Sequence, residues 1–316
     1  MRSIYTIAER EFRAFVTSPV GYVVMLFFLL VTASFFIAPL EANVASLRYV
    51  VGNMVIWLVF LLPALTMRLV AEEKKQGTIE LLMTSPITET QAVLGKFFGA
   101  LAFYAVILFS TLPYVFVLGW VRQQGGSAVF PTYTGLLLTA ATLIALTVAV
   151  VRESRPLGWA AAFLAVATIL CAGFSASKMG EWGPAVTGYL GLFLLGAVFL
   201  AIGLLTSTLT SNQIVAWVST AAILLTMVVL LSWIVRNLAG DAPKLEANAG
   251  IGTILMHGLA WVWHSVLVVL QGLDLQASLD NFAQGVLDLR DFVLYLSIII
   301  AALFFSIRGL TTTRAA

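Results

Sequence analysis

Long intervals without a charged side chain limit how this chain can fold more than any other feature of its sequence. Of its 316 residues, 61% are hydrophobic and only 10% are Asp, Glu, Lys or Arg. Soluble domains carry about 25% charged residues, so 17 basic and 15 acidic side chains are too few to cover a water-soluble protein of this length. The composition therefore predicts an all-α integral membrane protein, a polytopic helical bundle that faces lipid.

The uncharged intervals predict eight membrane spans. A hydrocarbon core about 30 Å thick needs about 20 helical residues, and one span fits each interval except the longest, which the polar run Thr206–Gln213 divides into two. The last interval has only 16 residues, so we expect Asp291 and Arg308 to snorkel or the bilayer to be thinner there. The predicted spans are residues 19–40, 49–67, 97–121, 123–151, 156–177, two within 182–235, and 292–307.

The interval from Ala247 to Leu273 is uncharged, but we predict that it does not span. Its segment 251–272 contains two histidines and the pair Trp261 and Trp263, a mixture typical of an interfacial or re-entrant helix. Eight spans place both termini on one side, which then holds 11 Lys and Arg residues against 6 on the other. The positive-inside rule predicts cytoplasmic termini. A ninth span would reduce the asymmetry to 10 against 7.

The N-terminal segment 1–18 is predicted to be an amphipathic helix on the inner membrane interface. We expect it to be retained, because the apolar stretch that follows is too long for a signal peptide. A juxtamembrane flank without a further role is the alternative. The apolar positions at near-helical spacing are Ile4, Ile7, Ala8, Phe12 and Phe15.

The loop 69–96, between the second and third spans, holds the densest charge in the chain. Gly77 can end the helix that continues from the second span, and Thr78 can cap a short helix with Glu80 in its first turn. Ile79, Leu82 and Met83 give this helix a small apolar face, and Pro86 ends it.

A capping box at Thr88 and Gln91 then opens the next helix. A two-turn helix is not stable alone, so this loop is predicted to dock against another protein. An amphipathic loop resting on lipid headgroups is the alternative.

This loop resembles the hallmark of type-2 ABC exporter permeases, and most closely that of the gliding-motility-associated ABC permease subunits. The resemblance rests on Glu72-Glu73, the run from Gly77 to Leu82, Ser85-Pro86 and Gly95-Lys96. Three further blocks support it, at residues 7–14, 204–213 and 285–291.

The resemblance implies a permease subunit that performs no chemistry itself. A separate cytoplasmic ABC ATPase subunit would bind ATP and receive the short helix, and a second permease subunit, identical or related, would complete the transporter. The implied ATPase contacts are Glu73, Gly77, Thr78, Ile79, Glu80, Leu82 and Met83, and a second, smaller contact is expected at Ser211, Asn212 and Gln213.

The family typically has six spans, so residues 122–181 resemble an inserted two-helix hairpin, and residues 237–290 an extracytoplasmic helical segment before the last span. An auxiliary membrane or extracytoplasmic partner is compatible with this arrangement. The expected location is the bacterial cytoplasmic (inner) membrane.

Other functions have weaker support in the sequence. Gly95-Lys96 lacks the remaining residues of a P-loop, which predicts that no nucleotide or other cofactor binds this chain. His257 and His264 have no nearby third ligand, and Ser175 and Ser177 have no histidine to activate them, so no metal or catalytic site is predicted. A net charge of +2 gives no reason to expect a nucleic-acid partner.

Two rival functions remain open. One is a membrane anchor for an ABC-type machine that moves no solute. The other is a secondary carrier or channel, which the absence of charged residues in mid-span disfavours.

Overall fold

The computed structural model describes the backbone of residues 2–41, 47–77, 88–116, 129–151, 155–179, 182–238 and 251–315. Their side chains are described from 3–36, 48–77, 88–116, 137–150, 160–172, 183–237 and 261–311. All regular structure in these ranges is helical. The helices are α1 (Arg2–Thr17), α2 (Pro19–Glu41), α3 (Leu47–Thr66), α4 (Ala71–Gln76), α5 (Glu89–Phe109), α6 (Val129–Val151), α7 (Arg155–Met179), α8 (Trp182–Leu209), α9 (Gln213–Leu225), α10 (Leu231–Leu238), α11 (Ile251–Gln271), α12 (Leu275–Ala283) and α13 (Leu289–Ala315).

Six described stretches are long and apolar enough to cross a membrane, and they coincide with the first three and last three predicted spans. The last stretch, Leu289–Thr311, has 23 residues and is longer than the 16-residue uncharged interval 292–307. The sixth predicted span is α8, and the seventh is α9 and α10 joined by a five-residue π-helix, Thr226–Leu230. The six stretches are Pro19–Phe36, Arg48–Gln76, Glu89–Phe116, Gly183–Leu209, Gln213–Asn237 and Leu289–Thr311.

The predicted hairpin corresponds to α6 and α7, which have 23 and 25 residues. The two helices pack mainly on each other, and α7 also contacts α8. The part of these helices whose side chains are described is apolar, over Leu137–Val150 and Ala160–Ala172, and is shorter than a span. The count of eight spans therefore stays a prediction.

Helix α8 is the centre of the bundle. It packs against α13, α3, α12, α9 and α5, and it is the most buried of the six candidate spans. Glycines on α8 allow these close approaches: a Cβ at Gly196 would lie 2.2 Å from the ring of Tyr104 on α5, whose hydroxyl donates to the Leu192 carbonyl at 2.7 Å. Small residues of this kind let membrane helices approach closely.

The end of the bundle that carries α4 is called the loop end here. At this end, the C-terminal part of α13 lies beside α8, since a Cβ on Gly309 would meet the Thr208 hydroxyl at 3.3 Å. Helix α1 packs on the first turns of α5 at the same end. Both terminal helices therefore reach the loop end, in agreement with an even number of spans.

Helix α12 covers the opposite end, packed against α8 and α3, and Phe292 and Tyr295 of α13 contact its Phe282 ring. Asp274 caps it by accepting hydrogen bonds from the amides of Gln276 and Ala277, and it also accepts one from Ser232 at 2.6 Å. Asp291 does not extend towards water as the short last span suggested; it is buried and accepts a bond from the Asn281 side chain at 3.0 Å. This partner removes the need to snorkel.

Helix α11, by contrast, contacts α10 and leaves most of its described circumference exposed, including Trp261 and Trp263. The candidate spans Pro19–Phe36 and Gln213–Asn237 are also mostly unburied, so this exposure fits an interfacial helix and a lipid-facing span alike. The placement of α11 relative to the membrane stays a prediction.

Candidate functional site

Four charged side chains from three helices meet at the loop end and form the ionic cluster: Arg10 and Glu11 on α1, Glu73 on α4, and Lys96 on α5. The Lys96 ammonium is only 3% exposed and donates to Glu73 Oε1 at 2.7 Å and to Glu11 Oε1 at 3.1 Å. Arg10 lies 3.2 Å from Glu11 and 3.9 Å from Glu73. A buried cation with two carboxylates ties α1, α4 and α5 together at one point.

Helix α1 fits the cluster because α5 has a glycine face there. A Cβ at Gly95 would lie 2.6 Å from the Ile7 side chain, and one at Gly99 would lie 2.8 Å from the Ala8 carbonyl oxygen. Further along, Phe15 stacks on Phe103 with ring centroids 5.3 Å apart. The predicted apolar face of α1 therefore packs on another helix of the chain.

Helix α4 is separated from the second span by a turn, Met67–Val70, which the sequence analysis did not predict. The Ser207 hydroxyl of α8 accepts hydrogen bonds from the amides of Val70 at 3.1 Å and Ala71 at 3.0 Å. The Lys74 ammonium donates to the Thr208 carbonyl at 2.5 Å. Helix α4 is thus held at its first and last turns by two successive residues of α8.

The two ends of the predicted docking segment have the expected local structure. Gly77 ends α4 in the left-handed conformation, with φ of +70°, which glycine adopts without strain. The capping box at Thr88 and Gln91 is confirmed: each backbone amide donates to the other residue's side chain. Residues 78–87, with the predicted contacts Thr78, Ile79, Glu80, Leu82 and Met83, lie outside the described residues.

The remaining predicted contacts differ in what they face. Glu73 points into the ionic cluster, so its carboxylate is engaged within the chain, whereas Glu72 accepts a bond from Gln76 at the surface. Ser211 and Asn212 are exposed in the turn after α8, and the Asn212 side chain caps α9 by accepting from Ile214 at 3.0 Å. Gln213 begins α9, which also contacts α4. The second predicted contact therefore adjoins α4.

A cleft of about 310 Å³ opens beside the ionic cluster. It lies between α1, the start of α2, the end of α3, and α4, and both polar and apolar side chains line it. Ser18, Arg68, Glu72 and Gln76 supply polar groups in addition to the cluster. The cleft is therefore lined by groups of both charge signs.

Comparison with known protein families gives a match over part of the chain. Residues 36–155 match the family model described as ABC-2 family transporter protein. The matched region is 120 of 316 residues. It runs from the end of α2 through the predicted docking segment, residues 78–87, to the start of α7. The match supports the predicted similarity to ABC-2 permeases. No curated protein matches the chain.

The match includes α6, the first helix of the predicted inserted hairpin, so the boundaries of that insertion stay a prediction. An ABC-2 membrane domain is a multi-pass membrane subunit, and the six described stretches that are long and apolar enough to cross a membrane agree with that class.

Three features of the structure were missed in the sequence: the glycine face of α5, helix α12 and the role of Ser207. Gly95 and Gly99 form a small-xxx-small pattern, which predicts close helix packing and could have identified the docking face for α1. Leu275, Leu279 and Phe282 recur at helical spacing and could have predicted α12. The role of Ser207 had no signal beyond a polar residue near a helix end.

Proposed function

We propose that this chain is the transmembrane subunit of an ATP-driven ABC exporter, and that a separate cytoplasmic ATPase drives it through residues 78–87. The observation that carries the proposal is the fixed geometry on both sides of this segment. On the N-terminal side of the segment, α4 is bound to α1, α5 and α8. On its C-terminal side, the capping box starts α5. A push on the segment is therefore passed directly to the bundle.

The similarity to ABC-2 transporters supports the same function, because the matched region contains the docking segment. ATP binding and hydrolysis are then the task of the partner, and this subunit is not an enzyme. Closure of two ATPase subunits would move two permease subunits between inward-open and outward-open states by rigid-body rotation. The loop end, with both termini, then lies in the cytoplasm, and the chain spans the cytoplasmic membrane of a bacterium.

A membrane anchor that acts on an extracytoplasmic partner without transport is the second candidate. It is favoured by the resemblance to gliding-motility-associated permeases and by α11, whose exposed aromatic surface is not used by the bundle. Stimulation of ATP hydrolysis by a solute in reconstituted complexes distinguishes a transporter from an anchor. A secondary carrier would instead transport without any nucleotide-binding subunit.

The coupling role is tested with Gly77→Pro and Glu80→Lys. Proline fixes φ near −65° and cannot adopt the φ of +70° that ends α4, so the docking segment should leave α4 in the wrong direction. Both variants should insert normally but lose ATP hydrolysis coupled to the permease. Gly52→Ala is the matched control, because a Cβ there meets nothing within 4 Å. Unchanged coupled ATPase activity in both variants would refute the assignment.

A further inference from the structure

We propose that Ser207 and the Thr208 carbonyl position α4, and that α8 carries the movement of α4 to α12 at the opposite end of the bundle. This inference rests on the proposed function, since it describes how force from the docking segment reaches the far side. It makes Ser207 a positioning residue and α8 a connecting rod.

Helix α4 depends on α8 for its stability. Six residues cannot form a stable helix alone, and no side chain of its own N-terminal region caps it. Ser207 supplies the missing cap from a position 137 residues away from Val70. Ser207 is fully buried, so water cannot take over this role when the hydroxyl is removed.

Close packing also holds α8 against the end of the second span. A Cβ at Gly203 would lie only 2.1 Å from the Thr66 hydroxyl, so the Thr66 side chain lies directly against the backbone of α8 one turn before Ser207. A displacement of α4 therefore acts on α8 at two adjacent places, the hydrogen-bonded cap and this close packing.

The other end of α8 holds α12. The Thr187 hydroxyl donates to the Phe282 carbonyl at 2.5 Å. A Cβ at Gly191 would lie 2.7 Å from the Phe282 side chain. The same helix thus binds α4 at one end and α12 at the other.

Helix α8 is uninterrupted, whereas the neighbouring span made of α9 and α10 is not. Helix α8 is 28 residues long, about 42 Å, and has no proline after Pro184. The span made of α9 and α10 also reaches both ends, but the π-helix Thr226–Leu230 interrupts it, and such interruptions bend or soften helices. The uninterrupted and more buried helix transmits displacement better.

The structural part is tested by amide hydrogen exchange on the purified full-length chain. Ser207→Ala removes a cap worth about 0.5–2 kcal/mol, so the amides at the start of α4 should exchange about 2- to 30-fold faster. Ser306→Ala is the control, because Ser306 is equally buried but bonds only to Ala302 in its own helix. Equal exchange of α4 in Ser207→Ala and wild type would overturn the proposed cap.

The transmission is tested in the complex purified through a tag on this chain from membranes of its native host. The reporter is Ser278→Cys on α12, a buried position, in a Cys171→Ala background that removes the natural cysteine. Labelling by a membrane-impermeant maleimide is compared without nucleotide and with MgATP and vanadate. Coupling free energies of 1–3 kcal/mol predict about a 5- to 150-fold change in rate.

Ser207→Ala should reduce this nucleotide-dependent change, because it removes one of the contacts that join α4 to α8, while ATPase association and basal hydrolysis remain. Thr187→Val removes the bond to Phe282 at the other end, so it should also reduce the change, without affecting exchange in α4. A normal response of α12 in either variant would overturn the connecting-rod proposal alone. No nucleotide response of the Ser278→Cys reporter without further substitutions would also overturn the transmission to α12, whereas failure of any ATPase to co-purify would overturn the proposed function itself.

Discussion

Replacing Lys96 by Met should release α1 and α4 from α5 without changing the length of the side chain much. The variant removes the cation that bridges Glu73 at 2.7 Å and Glu11 at 3.1 Å, and leaves two carboxylates close together. The Lys96 side chain is 3% exposed, so it lies well away from bulk solvent. The loss of stability should therefore be large for the removal of a single charge.

The magnitude follows from the burial of the three groups. Each ion pair is worth about 5–6 kcal/mol at an effective dielectric constant near 20, before the cost of desolvation. Removing one partner of a buried pair typically costs about 3–5 kcal/mol. Glu11 and Glu73 remain 14% and 23% exposed and can rehydrate, and Arg10 stays close to both. We therefore expect a loss of about 2–3 kcal/mol.

This loss is measurable as local opening of α1. A destabilisation of 2–3 kcal/mol raises the open population about 30- to 150-fold, so amides of Arg2–Thr17 should exchange faster by that factor in Lys96→Met. Arg13→Met is the control, because the Arg13–Glu9 pair lies within α1 with both side chains over 30% exposed. Exposed pairs contribute at most about 1 kcal/mol. Similar exchange in the two variants would contradict the role given to the ionic cluster.

Two further predictions concern the bundle and its opposite end. Gly196→Ala should destabilise the protein by about 1–3 kcal/mol, because its Cβ would overlap the Tyr104 ring. Thermal unfolding in detergent should therefore show a lower midpoint for Gly196→Ala than for Gly52→Ala. Equal midpoints would count against the close α5–α8 contact. Asp274→Ala should speed amide exchange in α12, because it removes a two-bond cap and leaves the buried Ser232 hydroxyl without this acceptor. The exchange rate in Asp274→Asn, which keeps the cap, should lie between those of Asp274→Ala and wild type. An exchange rate in Asp274→Ala equal to that of wild type would contradict the role given to this cap.

Local signals were predicted well from the sequence. The capping box at Thr88 and Gln91 and the helix end at Gly77 each depend on neighbouring residues, and both have the expected conformation. Uncharged intervals located the six described stretches that are long and apolar enough to cross a membrane, because the number of apolar residues needed to cross a bilayer is set by its thickness.

Contacts between distant segments could not be predicted in the same way. The amphipathic pattern of α1 indicated an apolar face but not what covers it, and lipid and the glycine face of α5 both satisfy that pattern. Lys96 was part of a motif, yet nothing in its neighbourhood indicated that Glu11, 85 residues away, is its partner. The cap from Ser207 has the same origin, because tertiary packing alone brings α8 to the start of α4.

The supports of the docking segment therefore come from parts of the chain other than the segment itself. The ABC-2-like region contains α3, α4 and α5 with Glu73 and Lys96, but Glu11 on α1 and Ser207 on α8 lie outside it. A docking segment that received force without these supports would move α4 alone, since a six-residue helix has little stability of its own. In the proposed mechanism, productive movement of the bundle therefore requires that α1 and α8 hold α4 while the proposed partner pushes on the residues after Gly77.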